Sequence, residues 1–122
     1  MKRKILIWTL VLLIIPIVYA EQLSFDGFES GTFCGGSGWE DSCWTTVGSV
    51  SIRGWTYPYE GNRHVYLRGN NAYMNRSVNI ANYGSYNISF AVKINSLEST
   101  DEAIFRIKVD DGDYVEINSW DS

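Results

Sequence analysis

Apolar and polar residues alternate with a period of two in run after run of this chain, and no stretch after Ala20 carries apolar residues at helical spacing over ten or more positions. Side chains that alternate between two faces belong to strands, so the chain beyond Ala20 is expected to be all β. The clearest run spans residues 86–95, where Ile88, Phe90, Val92 and Ile94 share one face and Asn87, Ser89, Ala91, Lys93 and Asn95 the other. After a polar loop, residues 103–109 point Phe105, Ile107 and Val109 inward and Arg106 and Lys108 outward. Asp111-Gly112 then gives a hairpin signal, because both central positions of a type I′ turn need positive φ, and residues 113–120 supply the returning strand. Earlier candidates cover residues 23–28, 42–47, 50–53, 64–68 and 72–80, about eight short strands in all. Strands joined by turns, with no crossover helices, predict antiparallel sheets in a sandwich or barrel, and the sandwich is preferred.

The first twenty residues break this pattern. Lys2, Arg3 and Lys4 precede an apolar run from Ile5 to Ile15 interrupted only by Thr9, then Pro16 and Val18-Tyr19-Ala20. That is the layout of a secretory signal peptide, with cleavage expected after Ala20. Ile5 to Ala20 is 16 residues, short of the roughly 20 that a membrane-spanning helix needs; an uncleaved N-terminal anchor is the competing reading. The expected organisation is therefore a signal-peptide helix over residues 1–20 and one domain over residues 21–122, destined for secretion or the cell surface.

Three of the ten basic residues lie in the leader and all fourteen acidic residues beyond it, so the mature part carries a net charge of −7. Its seven Lys and Arg are scattered, and no basic face exists to neutralise phosphates, which disfavours nucleic-acid binding. The same part holds all eleven glycines and only one proline, as a β domain with many turns would. Cys34 and Cys43 sit in a Gly-rich stretch, and export through an oxidising compartment makes a disulfide their natural state. Zinc competes poorly for them, because His64 is the single histidine and a closed tetrahedral site needs a fourth ligand.

The segments Phe25-Asp26-Gly27-Phe28-Glu29-Ser30-Gly31, Gly38-Trp39, Trp44-Thr45-Thr46 and Tyr59-Glu60-Gly61-Asn62, followed by Leu67-Arg68-Gly69, resemble the jelly-roll sandwiches of extracellular proteins. Nearest are the MAM-type and laminin-G-like (concanavalin-like) adhesion domains and the carbohydrate-binding modules. The resemblance covers Phe25 to Trp120 and departs from the MAM pattern in its single cysteine pair. It implies an antiparallel jelly-roll β-sandwich, and a structural calcium near the first strand with Asp26 and Glu29 at the matching positions. Such ions take hard oxygen ligands. The chain stops directly after a strand, so a C-terminally truncated domain is expected, with further strands, a membrane anchor or another domain beyond Ser122.

Gly54-Trp55-Thr56-Tyr57-Pro58-Tyr59 sets three aromatics in an irregular loop. Flat rings with polar tips suit stacking on sugar faces or anchoring a protein partner; the alternative has Trp55 and one tyrosine folded back over an open end of the sandwich. Trp39 and Trp44 are expected in the core. The acidic cluster Asp110-Asp111-Gly112-Asp113 lacks the remaining ligands of a calcium loop, and its hairpin role suffices. No serine, cysteine or carboxylate is spaced with His64 as a triad requires, so no enzyme activity is expected. Asn75-Arg76-Ser77 and Asn87-Ile88-Ser89 fit the N-glycosylation pattern, both asparagines falling where alternation turns them outward. The functional expectation is a non-catalytic binding or adhesion module for glycan or an extracellular protein. A purely structural surface module, or the accessory domain of a secreted hydrolase whose catalytic part lies beyond residue 122, are the alternatives.

Overall fold

The computed structural model describes residues 21–55 and 57–121; the leader expected over residues 1–20 lies outside them. The described part is all β, and the chain divides between Asn79 and Ile80 into two units, each built on a two-stranded antiparallel sheet. In the first unit, β1 (Thr45–Arg53) pairs with β2 (His64–Asn75). In the second, β3 (Ala103–Ile107) pairs with β4 (Val115–Trp120).

Among the described residues four strands, of nine, twelve, five and six residues, stand where eight were expected. The candidates at 42–47 and 50–53 are one strand, and those at 64–68 and 72–80 are another that ends at Asn75. What the sequence shows as interruptions are irregularities of register. Thr45 to Val47 pair with Asn75 to Tyr73, Ser49 to Arg53 pair with Arg68 to His64, and the ladder shifts between Val47 and Ser49. Gly48 and Gly69 adopt φ of +76° and +78°, and Asn71 adopts +61°, the left-handed backbone that an inserted residue in a ladder favours. A Cβ on Gly48 would stand 2.9 Å from the Cα of Ala72, so the strands approach there as only glycine permits.

The expected first strand at 23–28 contracts to a single bridge between Phe25 and Ser37. Residues 86–95, the clearest alternating run, form no ladder among the described residues. Alternation tells which side chains share a face, whereas a strand also needs a neighbour for its backbone, which no local pattern supplies. Phe90 nevertheless packs its ring 4.7 Å from that of Phe105 and edge-on to Trp120 at 6.2 Å.

The β3–β4 hairpin forms where alternation placed it, with Phe105 and Ile107 half-buried and Arg106 exposed. Its connection differs from expectation. The last pair is Ile107 with Val115, so the turn is not the two-residue Asp-Gly type. Gly112 N–H instead donates to Val109 C=O at 3.0 Å, with Asp110 at φ +50°. Val109, expected inward, is exposed in that turn.

Among the described residues no hydrophobic residue is buried. The centre of the first unit is polar and aromatic instead. Trp39 and Trp44, expected in a core, are half-buried, with ring centroids 5.0 Å apart, and Phe28 lies 5.8 Å from Trp44. Cys34 and Cys43 are joined in the expected disulfide, and Trp44 N–H donates to Phe33 C=O at 2.7 Å. Among the described residues no helix is long and apolar enough to cross a membrane.

Candidate functional site

Arg76 is the residue around which the first unit is organised. β2 stops one residue before it, which frees its side chain from the ladder to turn inward. Its guanidinium donates to Asp26 Oδ2 (3.1 Å), Gly35 C=O (2.7 Å), Asp41 C=O (3.1 Å) and Ser42 C=O (2.9 Å), and lies 5.1 Å from the Trp39 ring centroid. The planar fork matches several oxygens at once, which a lysine ammonium would not. The next residue continues the seam, for Ser77 N–H donates to Asp41 Oδ2 and Ser77 C=O accepts from Glu40 N–H. One arginine therefore ties the opening turn, the disulfide loop and the end of β2 together.

Asp26 is the other half of this arrangement. Its Oδ1 accepts from Phe28 N–H at 2.8 Å, and its Oδ2 accepts from Trp44 Nε1–H at 2.9 Å as well as from Arg76. The side chains of Arg76 and Asp26 are only 4% and 2% exposed. The calcium expected at Asp26 and Glu29 does not fit this donor set. A guanidinium already neutralises the Asp26 carboxylate and would repel a divalent cation, and among the described residues no three acidic, histidine or cysteine side chains group as metal ligands.

Glu29 has a different task. Gly31 N–H donates to Phe28 C=O at 2.9 Å, closing a turn that presents Glu29. Its Oε1 then accepts from the backbone N–H groups of Asn62 (2.8 Å) and Arg63 (2.9 Å), just before β2 begins. An open hollow of about 220 Å3 lies beside this contact, lined by Phe25, Gly27, Glu29, Glu60 and Gly61.

The β1–β2 connection leaves the ladder at the Arg53–His64 pair and carries the three aromatics singled out above. Trp55 is 74% exposed, Tyr57 92% and Tyr59 88%, so both tyrosines stand almost wholly in solvent. Tyr57 has φ +55° although it is bulky and precedes Pro58. Left-handed backbone is unfavourable for such a residue, and a following proline disfavours helical geometry further. Arg53, at the root of the connection, covers the Tyr66 ring at 3.7 Å.

The remaining candidates are dispersed. His64 opens β2, and its Nδ1 is buried without a hydrogen-bond partner among the described residues. Asn75 is half-buried at the end of β2 opposite Thr45, whereas Asn87 is exposed in the segment that forms no ladder. Arg76 gave no signal in the sequence, where it reads as the middle of an N-glycosylation triplet. Comparison with protein-family models, with curated proteins and with solved structures returns no match for this chain.

Proposed function

We propose that this chain is a non-catalytic extracellular binding module whose contact surface is the aromatic β1–β2 connection, with Trp55, Tyr57 and Tyr59 as the residues that meet a glycan. The observation that carries the reading is Tyr57: a residue 92% exposed, on left-handed backbone. Strain of this kind costs about 1–3 kcal/mol and gathers at functional sites. Burial offsets little of it at so exposed a residue, which favours a role in presenting the ring. Glycan is preferred over a protein partner because the two tyrosines stand almost wholly in solvent. A protein hot spot would centre on a packed pocket ringed by apolar contacts.

The setting follows from the sequence and the disulfide. The Cys34–Cys43 bridge suits an oxidising compartment, in keeping with a cleaved leader and secretion or surface display. The jelly-roll sandwich implied by the resemblance to MAM-type, laminin-G-like and carbohydrate-binding domains is part of the same proposal; the all-β make-up of both units supports it at the level of class. The exposed Asn87 is the better placed of the two glycosylation triplets.

A glycan array probed with the unsubstituted protein and with Trp55→Ala and Tyr57→Ala variants tests the reading. Each substitution is expected to weaken binding about tenfold, the loss of roughly 1.4 kcal/mol of ring contact. No binding by the unsubstituted protein, or binding indifferent to both substitutions, rejects it. Capture of a protein ligand through the same rings would favour the adhesion reading instead.

A further inference from the structure

The geometry points to Glu29 as the positioning residue of the aromatic connection: its carboxylate, carried on a turn more than thirty residues away in sequence, fixes the end from which the ring-bearing segment leaves β2. The inference rests on the reading of Trp55, Tyr57 and Tyr59 as the contact surface, and its own physical basis is independent of it. A connection between two strands is fixed at its root by the last ladder pair, here Arg53 with His64. Beyond that pair the backbone N–H groups of Asn62 and Arg63 have no ladder to donate to. One oxygen, Glu29 Oε1, takes both, at 2.8 and 2.9 Å, and hydrogen bonds to a charged acceptor are the stronger kind.

The far side of the contact is shaped to receive it. Gly61 has φ +68°, and a Cβ there would clash with Glu29 Oε1. Any other residue at Gly61 would displace the carboxylate. The guanidinium of Arg63 lies against Gly31, where an added Cβ would stand 3.3 Å from its Cζ and Nη1, so the turn that carries Glu29 and the residue it clamps touch from both directions. Tyr59 is two residues from Gly61 and Tyr57 four, close enough that the clamp limits where those rings point. Preorganisation of this kind raises affinity by removing the ordering cost at binding.

The test uses the full chain, with Glu29→Ala and Glu29→Gln. Glutamine keeps an oxygen acceptor in the same place; alanine keeps none. Backbone amide exchange at Asn62 and Arg63 is expected to accelerate at least tenfold in Glu29→Ala and to return most of the way in Glu29→Gln, while the amides of the β1–β2 ladder are unchanged. Binding to a panel of neutral hexasaccharides (xylo-, cello- and chito-oligosaccharide) is then measured by calorimetry. Glu29→Ala is expected to weaken it several-fold, and to add nothing in a Tyr57→Ala/Tyr59→Ala background, because its effect passes through those rings. Unchanged exchange at Asn62 and Arg63 overturns the clamp. Exchange that accelerates while binding falls equally with and without the two tyrosines overturns the positioning role. No binding by the unsubstituted protein overturns the ring-platform reading and Glu29's part in recognition with it, a result distinct from failure of the clamp because the exchange experiment stands apart from any ligand.

Discussion

A carboxylate and a guanidinium that are 2% and 4% exposed stabilise a fold only if nearly every oxygen and N–H between them is used. Around Asp26 and Arg76 they are: both carboxylate oxygens accept, and the guanidinium donates to three backbone carbonyls besides. Removing one partner leaves the other charged and desolvated, so Arg76→Ala or Asp26→Ala is expected to cost about 3–5 kcal/mol in chemical denaturation. The double variant should cost clearly less than the two single losses added, since the second removal relieves an unpaired charge. Additive losses would mean that the pair is not coupled. The same geometry predicts that millimolar calcium leaves the melting temperature unchanged, because only a ligand that binds the native state shifts it; a rise abolished by Asp26→Ala and Glu29→Ala would restore the ion. Little of this arrangement was legible in the sequence. Asp26 and Glu29 stood out only through the resemblance, as ligands of a calcium ion, and nothing local names their partners, which lie 50 residues away for Asp26 and more than thirty for Glu29.

At the scale of elements, alternation and glycine carry different kinds of information. The alternation of Phe105 and Ile107 against Arg106 survives unchanged in β3, because one side of that hairpin meets Phe90. Gly48 looked like the end of one strand and the start of the next, yet the ladder runs on through it with a shifted register. Continuity depends on Ala72 of the opposite strand, which the sequence around Gly48 does not mention. Gly48→Ala combines a side chain at φ +76° with a Cβ 2.9 Å from the Ala72 Cα, and is expected to destabilise the first unit by about 1–3 kcal/mol. Loss of protection on both sides of the bulge in amide exchange checks it; an unperturbed ladder would show that the register can slide. The disulfide was legible from a cysteine pair together with the expected export through an oxidising compartment. Replacing Cys34 and Cys43 by serine is expected to lower stability by about 2–3 kcal/mol on the chain-entropy estimate for so short a loop, and to loosen the Gly35, Asp41 and Ser42 carbonyls that Arg76 holds.

For the molecule as a whole, the two units differ in what holds them. The first has a disulfide, a buried ion pair and a strand pair of nine and twelve residues. The second has a hairpin of five- and six-residue strands and the aromatic trio Phe90, Phe105 and Trp120. A lone two-stranded hairpin is marginal in water, and much of the apolar surface of this one, including Val115 and Ile117 of β4, stays exposed. Stability in such a chain should be local rather than uniform. Backbone amides of β3 and β4 are therefore expected to exchange at least tenfold faster than those of β1 and β2, and Phe90→Ala should raise the β3–β4 rates further, because its ring packs on Phe105 of β3 and Trp120 of β4. Thermal unfolding followed by near-ultraviolet circular dichroism should then depart from a single two-state transition, with the second unit's aromatic signal lost first. Equal protection in the two hairpins, or β3–β4 rates indifferent to Phe90→Ala, would show instead that the short hairpin does not depend on this aromatic cluster.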